Sequence, residues 1–170
     1  MPGELLELGW DERPREEAAL FNPAFCGEII AQSVHAHFKT GKRPLSFPLA
    51  FTILPLALHP ASRERLPSQS STTLRTWAVN NDALLRPLSD RIARLRPITR
   101  EALLFLIQLQ ALDLTPAGLI PGEKPIALTR KIKAGTAETD EIRRSARLLG
   151  RWFAAQNNPL LILQTLGLKP

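Results

Sequence analysis

Residues 47–58, Phe-Pro-Leu-Ala-Phe-Thr-Ile-Leu-Pro-Leu-Ala-Leu, are apolar on almost every side. A helix with no face to offer water must be covered by the rest of the chain. The stretch carries prolines at 48 and 55 and is too short to cross a bilayer. It therefore predicts a buried helix at the centre of the fold, kinked or broken at Pro55.

The remainder of the chain is built to supply that cover. It is 44% hydrophobic over 170 residues, enough for one domain or two small ones packed together. Tyr is absent, Val is rare, and Leu, Ala and Arg are abundant, a balance that favours helices. Fifteen prolines keep those helices short and force corners between them. The expected fold class is mostly α, a compact helical domain.

Asn22-Pro23 reads as a helix start, with Asn capping the free N–H groups and Pro at the first helical position. Cys26, Ile29, Ile30, Val34 and Phe38 form one apolar stripe, and Gly41 ends the helix. Residues 1–12 read as a loose lead-in for which Trp10 is the expected anchor, and residues 59–72 read as a polar loop. A helix over 73–79 and another over 82–95 follow, until Pro97 breaks the chain. Thr99 then caps a helix with Leu103, Leu104, Leu106, Ile107 and Leu109 as apolar positions. Residues 114–128 suggest a small β-hairpin and 129–138 a basic loop. Thr139 or Asp140 opens a helix to about residue 155. Asn158-Pro159 starts a last helix that Gly167 closes.

Helix, hairpin, helix over residues 82–156 is the outline of a winged helix-turn-helix. The chain thus divides into an N-terminal helical part, 1–81, and a winged-helix-like C-terminal part, 82–170, packed together as one unit. Winged helices bind DNA and also serve as protein connectors.

The residues for bond-making chemistry are not gathered. One cysteine, Cys26, excludes an intrachain disulfide and points to a reducing, cytoplasmic setting. His35 and His37 diverge on their helix, and His59 stands apart, so no metal-ligand spacing exists. A Cys26 nucleophile would need a histidine base, and those on its helix lie two to three turns away. No glycine-rich phosphate loop is present. The expectation is a chain that is not an enzyme and holds no cofactor or metal. The N-terminus lacks the pattern of a signal peptide.

The basic residues carry more. The net charge is +6. Arg86, Arg91, Arg94, Arg96 and Arg100 run through one region, and Arg143, Arg147 and Arg151 are spaced four apart on another helix. Arginine suits phosphate and carboxylate recognition. Arg130, Lys131 and Lys133 follow the proposed wing, where phosphate contacts are plausible. Arg130, Lys131, Lys133, Arg143 and Arg147 are therefore the nucleic-acid candidates.

Several strings occur together in one order. Arg13-Pro14 leads into Leu20-Phe21-Asn22-Pro23-Ala24-Phe25-Cys26-Gly27. Leu54-Pro55-Leu56-Ala57-Leu58-His59 follows, then Thr99-Arg100-Glu101-Ala102-Leu103-Leu104-Phe105. Leu149-Gly150-Arg151-Trp152-Phe153-Ala154 and Leu166-Gly167-Leu168-Lys169-Pro170 complete the set. Taken together, the chain resembles the middle component of bacterial three-component ABC systems. The resemblance implies a non-enzymatic adaptor between an ABC ATPase of the SMC/Rad50 type and a variable effector, in anti-phage or anti-plasmid defence. It implies no catalytic residues. Interface candidates from the shared strings are Arg13, Asn22, Phe25, Arg151 and Trp152, the last two because Arg and Trp are enriched in interface hot spots. The alternative is a winged-helix DNA-binding regulator.

Overall fold

The computed structural model describes residues 21–68, 71–128 and 136–169; the lead-in over residues 1–12, with Trp10, lies outside the described residues. Asn22 opens helix α1 (Pro23–Gly41): its Oδ1 accepts the Ala24 N–H at 2.7 Å. The helix runs through Gly41, and Lys42 takes the left-handed cap conformation, its N–H bonding the Phe38 carbonyl. A side chain at Gly41 would press on Arg43, whose guanidinium reaches the Ala154 carbonyl. That glycine therefore serves packing, and the stop falls one residue later.

Helix α2 (Phe47–Ala57) is the apolar segment, and residues 49, 50 and 52–57 are buried. Pro55 does not end it; Leu58 N–H still bonds the Leu54 carbonyl at 2.9 Å. The polar run that follows is not all loop. Pro60–Arg65 form a short helix α3, started by the His59 side chain, which accepts the Ser62 N–H. Arg63 is buried because its Nη1 donates to the carbonyls of Ala57 and Leu58. Those are carbonyls that the end of α2 leaves without helical partners. A composition that reads as solvated loop is thus used to close the central helix.

Helices α4 (Leu74–Asn80) and α5 (Asp82–Leu85) lead into α6 (Leu88–Gln108). The break expected at Pro97 does not occur: α6 passes through it. Pro97 and Ala93 are both exposed, so the Ala93 carbonyl that loses its i+4 donor faces water. Thr99, expected as a cap, is instead buried in mid-helix.

The hairpin is β1 (Leu112–Thr115) and β2 (Gly118–Pro121), antiparallel, with Leu114 opposite Leu119. It sits slightly earlier than the sequence indicated. Leu45, between α1 and α2, exchanges both backbone bonds with Leu119, at 2.9 and 2.8 Å, and so adds an edge to β2. Gly118 permits this approach: a Cβ there would lie 2.0 Å from the Leu45 carbonyl oxygen, at a φ of +135°.

Helix α7 (Ala137–Ala155) is capped by Thr136, three residues before the expected start, and α8 (Pro159–Thr165) by Asn158 as expected. One cluster of buried residues joins both halves of the chain, from Cys26 and Ile53 to Leu149, Phe153 and Leu166. Among the described residues no helix is long and apolar enough to cross a membrane.

Candidate interaction surfaces

The seam between α1 and α7 decides what the arginines can do. The helices run alongside each other in the same direction, with Glu28 at Arg143, Gln32 at Arg147 and Ser33 at Gly150. Gly150 brings them close, since a Cβ there would sit 2.2 Å from the Ser33 carbonyl oxygen.

Arg143 lies in the seam. Its Nε and Nη2 donate to the two carboxylate oxygens of Glu28 at 2.6 and 3.1 Å, and Nη1 donates to Asp140 at 3.2 Å. Hydrogen bonding to Glu28 holds its charged form more firmly than usual. Arg147 donates to Gln32 Oε1, and Gln32 Nε2 donates to the Leu128 carbonyl. Burial and then the neighbouring Arg151 and Arg144 push its guanidinium down. The residues spaced four apart therefore do not form one uniform face. Arg143 is bound by carboxylates, Arg147 is half-buried against glutamine, and Arg151 is half-buried without an acidic partner among the described residues.

Arg63 donates to Glu138 at 2.9 Å and lies 3.7 Å from Glu141. Together with Arg144 and Arg151 it lines a pocket of about 180 Å³ between α3 and α7. Its Nε is buried without a hydrogen-bond partner.

The other sequence candidates fall in different places. Asn22 is the α1 cap, and Phe25 is half-buried against the core. Trp152 is buried; its Nε1 donates to the Thr72 carbonyl at 2.7 Å and its ring centroid is 5.6 Å from that of Trp77. It fixes the segment before α4 onto α7. Arg13, Arg130, Lys131 and Lys133 lie outside the described residues.

Cys26 is fully buried. His37 Nδ1 lies 3.2 Å from the Arg43 carbonyl, and His59 Nδ1 lies 2.8 Å from Ser62 Oγ. Burial lowers the proton affinity of His35, His37 and His59, with Arg43 adding to it at His37 and Arg91 and Arg63 at His59. Among the described residues no three His, Cys, Asp or Glu side chains are grouped to hold a metal.

Besides Phe47 at the start of α2, large apolar side chains reach solvent in two regions that sequence reasoning missed. Val79 is 72% exposed and, with Leu161, lines a cleft of about 890 Å³ between α4 and α8 that Arg75 and Arg86 also border. On α6 and the hairpin, Leu104, Leu109 and Leu114 are at least half exposed. Leu104 and Leu109 belong to the apolar run of the helix but do not share one face with its core positions. Leu103 and Leu106 take the core side, and a step of about 100° per residue turns Leu104 away from it. The available signal was that angular conflict within the leucine run.

A family model described as ABC-three component (ABC-3C) system Middle Component 3 matches residues 10–170. No curated protein and no solved structure gives a match.

Proposed function

The chain belongs to the Middle Component 3 family of ABC-three component systems, and from that premise we propose that it is a non-enzymatic adaptor. In this reading it joins an SMC/Rad50-like ABC ATPase to a variable effector in a cytoplasmic anti-phage or anti-plasmid complex. The observation that carries the reading is the exposed apolar surface. Val79, Leu160 and Leu161 on one side, and Leu104, Leu109 and Leu114 on another, remain in solvent although the chain has a well-covered core. Two separated apolar regions suit a subunit that docks two partners. The polar groups support it as well: Arg143 and Arg63 hold carboxylates within the fold, and Cys26 is buried.

The test is co-expression of the full chain with the ATPase and effector encoded beside it, followed by size-exclusion chromatography. Co-elution of all three is expected only when this chain is present. Separate elution of ATPase and chain at micromolar concentration would end the adaptor reading.

A second reading, a winged-helix DNA-binding regulator, has one observation in its favour. The order α1, Leu45 edge, α2, then α6, β1 and β2, with Leu45 paired to β2, supports a winged-helix arrangement, though one that begins at α1 rather than at residue 82 as the sequence suggested. In that reading α6 would face DNA with Arg94, Arg96 and Arg100, all exposed.

A further inference from the structure

We propose that the edge of α7 carrying exposed Arg144 and half-buried Arg147 and Arg151 binds the phosphate backbone of double-stranded DNA. The inference does not depend on the adaptor reading, and it places the contact on a different helix from the one that winged-helix docking would use.

The first support is the distribution of opposite charge. Glu28 and Asp140 are held by Arg143, and Glu138 and Glu141 by Arg63. Two carboxylates line the pocket beside Arg144 and Arg151: Glu141, which lies 3.7 Å from Arg63 Nε, and Glu64. Among the described residues no carboxylate lies within ion-pair distance of these three arginines. Three like charges at helical spacing repel one another, and the repulsion is felt at Arg147. An anion at this face relieves it.

The second support is the shape. Residues 144 to 151 span about 10 Å of helix axis, over which one duplex strand presents about three phosphates at ~3.4 Å axial spacing. The pocket between α3 and α7 is about 180 Å³, large enough to seat a phosphate group.

The third support separates nucleic acid from protein. Among the described residues, the exposed large apolar side chains lie on other elements: Phe47, Val79, Leu104, Leu109, Leu114, Leu160 and Leu161. A protein interface has apolar or aromatic anchors at its centre, and the α7 face offers none. The aromatics of α7, Trp152 and Phe153, are buried, so no stacking platform for unpaired bases is present there either. Arginines without aromatics suit backbone contact with a duplex.

The experiment is fluorescence anisotropy of the full chain with a labelled random-sequence duplex across a series of salt concentrations. Arg144→Ala/Arg151→Ala is compared with Arg94→Ala/Arg96→Ala/Arg100→Ala, each checked for an unchanged melting temperature. The α7 variant is expected to lose about tenfold or more in affinity and to reduce the salt slope by about 2, while the α6 variant stays within about threefold of wild type. Glu64→Gln is expected to tighten binding, because it removes an opposing charge. Three results would overturn the proposal. They are no duplex binding by wild type at low salt, loss in the α6 variant but not the α7 variant, and displacement of the duplex by polyglutamate at equal charge, which marks an acidic protein surface as the partner.

Discussion

Gly150→Ala is the substitution that most directly tests the seam on which the α7 face depends. The added Cβ would lie 2.2 Å from the Ser33 carbonyl oxygen, 3.0 Å from its carbon and 3.1 Å from the Ala36 Cβ. Ordinary contact requires about 1 Å more, and the obstruction is backbone of a packed helix, so α1 and α7 must separate. Overpacking of this kind costs about 3 kcal/mol, the top of its usual range. The gain in helix propensity from Gly to Ala returns about 1 kcal/mol, leaving a net loss of about 2 kcal/mol. With a urea dependence of about 2 kcal/mol per molar, the unfolding midpoint falls by about 1 M. Circular dichroism at 222 nm in a urea series reads this directly. Gly167→Ala is the reference: nothing lies within 4 Å of its Cβ, but its φ is +73°, so its cost is backbone strain of about 1 kcal/mol. A midpoint for Gly150→Ala equal to or above wild type would refute the close-approach argument.

Two further outcomes follow from the same geometry. Glu28→Gln leaves Arg143, whose side chain is 12% exposed, with only Asp140. A loss of about 1–3 kcal/mol is expected, between the values for exposed and buried pairs, and a double-mutant cycle with Arg143→Met should recover most of it. A cycle showing no coupling would contradict the ion pair. Acidification provides the second. His35, His37 and His59 bind protons less readily when folded than when unfolded, so below the unfolded value of about 6.5 the unfolded chain takes up more protons. Stability is therefore fully present above that pH and falls as the pH drops through and below it. His37→Gln should flatten the fall in urea midpoint between pH 7 and 5; an unchanged slope would show that His37 does not contribute.

Much of the local structure follows from residues close in the chain. Asn22-Pro23 and Asn158-Pro159 cap helices because side-chain oxygen and following N–H groups are neighbours whatever the rest of the fold does. Residues 47–57 are buried because an apolar cylinder has no stable alternative in water. The mostly helical class, the hairpin and the family resemblance were likewise legible. What the arginines do was not. Arg143 and Glu28 are 115 positions apart, and only the packing of α7 against α1 reveals that one basic side chain is neutralised within the fold while Arg151 is not. The continuity of α6 through Pro97 also needed the fold, since it depends on which side of the helix meets water. So did the Leu45 edge on the hairpin, which rests on a bond to a residue 74 positions away. Local sequence determined the two Asn-Pro helix starts and which segment is central, because capping and hydrophobic burial act at short range. Tertiary structure alone decided which charges stay free to meet a partner, because pairing and desolvation are set by distances between segments remote in the chain.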